Sequence, residues 1–133
     1  MELNFSISEF IIEPEIDIPQ EIADKILKYH IIPLQGIRDI LKSPMTISER
    51  SGYRSLDYEL SRGRSGDSEH CYRGKGACDV TVSGAENLRV LGLLLLCSPY
   101  TRICFYPGDK FYHLDYKQSD HRLYTGPAWK RFI

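Results

Sequence analysis

The chain has 133 residues, of which 42% are hydrophobic and 26% are charged, and its formal net charge at pH 7 is -1. This length suits one compact domain, residues 1–133, because domains commonly hold about 100 to 150 residues. The near-neutral charge excludes the strongly basic composition that is typical of nucleic-acid-binding domains.

The ends and the apolar runs of the chain predict where it works. The opening sequence MELNFSISEF has no basic segment followed by an apolar run, so we expect no signal peptide and synthesis in the cytoplasm. The longest apolar run, residues 90–97, is far shorter than the ~18 residues that a membrane span requires. It predicts a buried helix segment and no membrane span.

The first third of the chain predicts one long amphipathic helix. Residues 4–10 indicate a short extended or turn segment that packs on the core. From Pro19 to Leu41, apolar residues recur at steps of three and four, which is typical of a helix with one buried face. Pro33 should kink or split this helix, because proline cannot donate a backbone hydrogen bond. His30 within it is expected to be a core histidine.

The middle of the chain alternates between strands, a loop and a helix. Residues 45–48 predict a strand, and residues 60–68 are rich in glycine, serine and charge, which indicates a loop. Residues 79–82 continue as a second strand. Ser83 then offers an N-cap to a helix over residues 85–96.

A β-hairpin is predicted near the C-terminal end. Residues 103–106 and 111–116 are aromatic-rich runs separated by a Pro-Gly-Asp turn. Together with the preceding elements, they predict an α+β fold in which a small, mostly antiparallel sheet has its helices packed on one side.

His70, Asp79 and His113 supply the residue types of a zinc site. Catalytic zinc usually takes three protein ligands from imidazole, thiolate and carboxylate groups and leaves a fourth position open for water. The bound ion lowers the pKa of that water to about 7 and polarises a carbonyl group, so amide hydrolysis is the natural chemistry. The pattern therefore predicts one Zn²⁺ ion in a cleft across the sheet. The alternative is that His70 and His113 are unrelated surface histidines.

The sequence motifs around these residues resemble those of a known family. The chain is similar to the zinc D-alanyl-D-alanine carboxypeptidases and endopeptidases that cut peptidoglycan stem peptides, in particular their short, single-domain bacterial and phage branch. The resemblance covers nearly the whole chain, and it is carried by SGYRS at residues 51–55, Ser68-x-His70, Ala77-x-Asp79, His113-x-Asp115, the opening residues 4–10 and Trp129.

The resemblance implies an activity and a place of action. It implies hydrolysis of a peptide bond that involves a D-amino acid, in stem peptides or their cross-links. We expect a phage role in wall lysis or entry, so that the protein acts after release or as a virion component. Carboxypeptidase or endopeptidase mode, the type of wall and the oligomeric state stay open.

The resemblance also implies individual roles. Arg54 would stabilise the oxyanion, or it would be a structural, salt-bridged arginine. Ser68 and Tyr53 would contact the substrate, although a loop serine also commonly bonds to the local backbone.

One departure from the family lies between the first two ligands. His70 and Asp79 are nine residues apart, two more than is common in the family. We expect Gly74 and Gly76 to absorb the longer loop, because glycine adopts positive φ at little steric cost.

A second departure concerns the general base. The positions that hold it in relatives are Lys110 and Phe111 here, and neither can serve as a base in that way. Asp115 becomes the leading candidate, because strand alternation places it on the same face as His113. Asp115 could instead orient a ligand, or it could be the ligand itself with His113 as the acid or base. This departure also keeps open a non-catalytic, zinc-containing module that binds the cell wall or has a structural role.

Overall fold

A computed structural model describes residues 2–13, 16–48 and 52–131. Ser51, the first residue of the SGYRS motif, lies outside the described residues. The helices are α1 (Gln20–Ile26), α2 (Ile32–Leu41), α3 (Leu56–Ser61) and α4 (Ala85–Leu95). The strands are β1 (Met45–Ile47), β2 (Ala77–Val82), β3 (Arg102–Tyr106), β4 (Phe111–Asp115), β5 (Leu123–Thr125) and β6 (Lys130–Arg131). In the described ranges, no helix combines the length and the apolar character that crossing a membrane demands.

The six strands of the described residues form one sheet in the order β1-β2-β4-β3-β5-β6. Every neighbouring pair is antiparallel except β3 and β5, which run parallel. The predicted α+β class with a mostly antiparallel sheet is therefore confirmed, and so is the β3–β4 hairpin.

The long N-terminal helix is divided as predicted, but by a π-helical segment. Leu27–Ile31 forms this segment between α1 and α2, and Pro33 lies in the first turn of α2. Proline has no N–H to donate to the carbonyl of Tyr29 four residues earlier. The hydroxyl of Tyr116 donates to that partly buried carbonyl at 2.7 Å, so the acceptor has a hydrogen-bond partner from a distant part of the chain.

One local prediction was wrong at its boundary and another was wrong outright. The predicted loop is confirmed over residues 62–68, but Leu60 and Ser61 belong to α3, a short helix whose N-cap Ser55 accepts a hydrogen bond from the Tyr58 amide at 3.1 Å. Ser83 is not the N-cap of α4, because Gly84 occupies that position with φ +92° and no side-chain cap.

The two faces of the sheet have different surroundings. Cys78 and Val80 of β2 and Leu114 of β4 belong to one apolar core with residues of α1, α2 and α4. Since successive strand residues point to opposite faces, Asp79 and His113 lie on the other face. The core thus leaves one face of the central strands free for polar side chains.

His30 is a fully buried core residue. Its Nε2 donates to the carbonyl of Lys75 at 2.9 Å, which leaves Nδ1 to accept from the hydroxyl of Tyr100 at 2.9 Å. Burial lowers the pKa of His30 to about 4, although the bond to the Lys75 carbonyl opposes this shift. The imidazole is therefore neutral in the folded protein at physiological pH.

His30 should make the fold sensitive to mild acid. His30 binds a proton near pH 6.5 in the unfolded chain but only near pH 4 in the folded protein. The stability that neutral His30 contributes is therefore fully present above pH 6.5 and is lost as the pH falls toward 4. We expect the free energy of unfolding to fall by about 2 kcal/mol between pH 7.5 and 5.0 from this residue alone. Urea unfolding of the wild type and His30→Gln at both pH values measures it. Equal pH dependence in the two proteins would contradict the prediction.

Candidate metal site

Strand pairing brings two of the three predicted ligands together. Asp79 in β2 lies directly opposite His113 in β4 in the antiparallel register. His70 comes from a 3-10 turn, Glu69–Cys71, that precedes β2. Two ligands are therefore held by the sheet and the third by a turn beside it.

The ligand atoms converge. The Nδ1 atom of His113 is 2.9 Å from Oδ1 of Asp79, and the Nε2 atom of His70 is 3.8 Å from the same oxygen. One ligand atom from each residue lies within 4.8 Å of the others. All three residues come from the set predicted to bind zinc.

The donor set fits Zn²⁺. Two imidazoles and one carboxylate are common protein ligands of catalytic zinc, and three of them leave a coordination position open. A cavity of about 250 Å³ adjoins the three residues and is also lined by Arg54, Tyr106, Phe111 and Trp129. A substrate therefore has a way to the open side of such an ion.

The turn that carries His70 is fixed through its backbone. The Oγ atom of Ser68 accepts from the His70 amide at 3.2 Å, and the Arg54 amide donates to the His70 carbonyl at 2.9 Å. Ser68 is the N-cap of this turn. Among the described residues that line the cavity, Ser68 is absent.

The longer loop between the ligands is accommodated at two positions. Tyr72 ends the 3-10 turn with φ +57°, and Gly76 enters β2 with φ +85°. A Cβ atom on Gly76 would overlap the buried ring of Tyr72, whereas one on Gly74 would meet only ordinary contacts. Of the two glycines expected to absorb the turn, Gly76 has the positive φ.

His113 uses its second ring nitrogen for a different contact. Its Nε2 donates to Oδ2 of Asp115 at 2.7 Å, so Nδ1 is the nitrogen that points toward Asp79. Arg102 donates to Asp115 through both Nε and Nη2, at 2.6 to 3.0 Å. Asp115 is fully buried and also accepts from the Lys117 amide at 3.0 Å.

These contacts set the charge states of the pair. Burial works against a charged His113, but hydrogen bonds to Asp115 and Asp79 and the charges of both raise its pKa to about 9. Burial works likewise against ionised Asp115, yet hydrogen bonds from His113 and Arg102 hold its pKa below the usual value. Asp115 is therefore ionised at neutral pH.

The comparison with protein families agrees with this geometry. The family model described as Peptidase M15 matches residues 4–115. The chain belongs to the peptidase M15 family. No curated protein matches the chain. The family is one of zinc-dependent peptidases, so the protein is a metallopeptidase with a peptide substrate.

Arg54 lines the cavity of this M15 peptidase. Its Nη1 atom is 3.7 Å from Oε1 of Glu59, whose carboxylate is almost fully buried. Arg64 contacts the other oxygen of Glu59 at 2.7 Å. Arg54 thus combines a place on the cavity wall with the ion pair of the structural alternative.

Tyr53 packs against other parts of the fold. Its ring packs edge-on against Tyr72 at 5.8 Å, and its backbone forms a parallel bridge with Ile11. Within the described ranges it is not among the residues that line the cavity. Sequence interpretation also overlooked Glu59 and Arg102, although the hairpin register would have placed Arg102 opposite Asp115.

The M15 loop between His70 and Asp79 should tolerate a side chain at one glycine only. Gly76→Ala would combine left-handed backbone with overlap on Tyr72, for an expected loss of about 2 to 4 kcal/mol in the free energy of unfolding. Gly74→Ala is the matched control and should stay within about 0.5 kcal/mol of the wild type. Urea unfolding measures both, and equal effects at the two positions would contradict this account of the loop.

Proposed function

We propose that the protein hydrolyses a peptide bond involving a D-amino acid in peptidoglycan stem peptides or their cross-links. The observation that carries the proposal is the convergence of His70, Asp79 and His113 beside a cavity, in a chain of the M15 family. Following the resemblance to the short phage branch, we also propose a role in wall lysis or entry, with the protein acting after release or as a virion component.

His70, Asp79 and His113 would hold one zinc ion, through Nε2 of His70 and Nδ1 of His113. Such an ion polarises a carbonyl group and lowers the pKa of water to about 7. Arg54 would bind the carbonyl oxygen of the scissile bond as negative charge develops there, since a guanidinium on the cavity wall is suited to that charge. Glu59 would hold the guanidinium in place.

Of the three roles open to Asp115, we propose the orienting one. Its carboxylate accepts from His113 Nε2 and from Arg102, and it has no exposed surface at which to meet a water molecule. A carboxylate bonded to the distal nitrogen of a ligating imidazole fixes the tautomer and the ring orientation. The alternative role of Asp115 as general base stays a prediction. The substrate contacts by Ser68 and Tyr53 also stay predictions.

Mass spectrometry of muropeptides tests the activity directly. Purified protein loaded with zinc should produce new fragments from peptidoglycan of at least one chemotype, and their masses would identify the bond and the carboxypeptidase or endopeptidase mode. Adding a chelator should abolish the fragments, because the nucleophile depends on the metal.

Variants make the same assay specific to the site. Asp79→Asn should lose zinc and activity together, since a carboxamide is a poor replacement for an anionic zinc ligand. His121→Ala is the matched control, because His121 lies outside the ligand group, and it should cut as the wild type does. Fragments that persist after chelation or in Asp79→Asn would contradict the proposed site.

A non-catalytic zinc module is the second candidate, and one observation favours it. Phe111, at a position that holds the general base in relatives, lines the cavity and stacks on Tyr106 at 4.5 Å. Such a module would bind zinc and sediment with cell walls of a suitable chemotype while leaving all muropeptides intact. Intact muropeptides with all chemotypes, despite bound zinc, would decide for it.

Arg54 should affect turnover rather than metal binding. If cleavage is observed, Arg54→Met should lower kcat about 100- to 1000-fold, the usual cost of losing an oxyanion donor, with zinc affinity unchanged. Folding should tolerate the change because Arg64 still pairs with Glu59. Arg62→Met is the matched control, since the Arg62 guanidinium lies over the Tyr58 ring. A kcat for Arg54→Met within a fewfold of the wild type would refute the assigned role.

A further inference from the structure

The segment that follows β4 extends beyond the residues matched by the family model, yet it reaches the metal site. β5 pairs with β3, and β6 pairs with β5, so the segment is an extension of the sheet. Trp129 immediately precedes β6, with φ +53°, and lines the cavity. Its ring is 5.3 Å from the ring of His113.

Trp129 also covers Arg102. The carbon at the centre of the Arg102 guanidinium is 4.4 Å from the centre of the indole ring, which is the arrangement of a cation–π contact. Among the described residues, the hydrogen bonds of the guanidinium go to Asp115. Arg102 is thus enclosed between an aromatic ring and a buried carboxylate.

We propose that Arg102, covered by Trp129, is a positioning residue that fixes Asp115 and, through it, the zinc ligand His113. This inference rests on the proposed metal site, but it does not depend on which bond is cut or on whether any bond is cut.

The contacts of Asp115 explain why an arginine is needed here. Apart from Arg102, the carboxylate has one partner on each oxygen: His113 on Oδ2 at 2.7 Å and the Lys117 amide on Oδ1 at 3.0 Å. Arg102 engages both oxygens at once, at 3.0 Å from Nε and at 2.6 Å from Nη2, so the plane of the carboxylate is set. Fork-shaped donation of this kind is a property of arginine that lysine lacks.

A fixed Asp115 then defines which way His113 faces. Oδ2 of Asp115 accepts from Nε2 of His113, so Nε2 keeps its hydrogen, and Nδ1, which is 2.9 Å from Oδ1 of Asp79, is the nitrogen that a metal ion could use. The same ring contacts Trp129. Arg102 and Trp129 therefore restrain the orientation of a ligand that neither of them replaces.

A purely structural role is the alternative, in which Arg102 only neutralises a buried charge. Removing one partner of a buried ion pair destabilises a fold whatever else the pair does. Loss of stability therefore does not distinguish the two roles, whereas zinc affinity and the coordination geometry of the bound metal do.

The experiment measures zinc affinity by competition with a chromophoric chelator, and the visible absorption spectrum of the Co²⁺-loaded protein, on the full chain. Arg102→Met should lower zinc affinity about 10- to 100-fold and alter the Co²⁺ spectrum, the usual effect of losing an outer partner of a ligand. Arg102→Lys should recover only part of the affinity. Arg89→Met is the matched control, because Arg89 pairs with Glu86 on α4, and it should match the wild type.

A double-mutant cycle tests whether Arg102 acts through Asp115. Once Asp115→Asn is present, adding Arg102→Met should change zinc affinity by less than about twofold. The double variant also has no unpaired buried charge, so it keeps the test available if Arg102→Met alone does not fold. Trp129→Leu should lower zinc affinity by a smaller factor than Arg102→Met.

The inference would be overturned if Arg102→Met had the zinc affinity and the Co²⁺ spectrum of the wild type. It would also be overturned if adding Arg102→Met to Asp115→Asn lowered zinc affinity as much as Arg102→Met does alone. Unchanged zinc affinity in Trp129→Leu would overturn the role given to Trp129. A wild-type protein that binds zinc in this way but leaves all muropeptides intact would overturn the proposed function alone. A wild-type protein that binds no zinc would overturn both.

Discussion

The register between β2 and β4 is the constraint on which the metal site depends. It places Asp79 directly opposite His113, and the next residue of each strand, Val80 or Leu114, points into the core. Because strand side chains alternate, a slip of one residue would turn His113 inward and Leu114 outward. The apolar core is therefore what keeps two of the three proposed ligands in place.

The β3–β4 hairpin extends this constraint by one more strand. Its register sets Arg102 opposite Asp115, two residues along β4 from His113. Four of the groups around the site are thus cross-strand neighbours on one face of the sheet. Ligands on paired strands are held more precisely than ligands on loops. His70, the proposed ligand from a turn, has hydrogen bonds at both its backbone N–H and its carbonyl.

The sequence predicted the parts of this arrangement that leave a local pattern. Alternation and a Pro-Gly-Asp turn define the hairpin, and the residue types of His70, Asp79 and His113 suit zinc. The short helix α3 was missed because six residues show little apolar periodicity, although Ser55 is a typical N-cap. β5 and β6 were missed for a different reason: they are two or three residues long and form by pairing with distant strands, which no local pattern encodes.

A buried carboxylate paired with arginine occurs on both sides of the cavity. On one side Glu59, almost fully buried, contacts Arg54 and Arg64. On the other side the fully buried Asp115 contacts His113 and Arg102. In each case a buried carboxylate joins a group at the cavity to an arginine outside it. A buried ion pair adds little net stability, but losing one partner is costly because the remaining charge is left uncompensated. Losing Arg64 or Arg102 would therefore leave a buried carboxylate under-compensated next to a group at the cavity, so the outer arginines support the site as well as the fold.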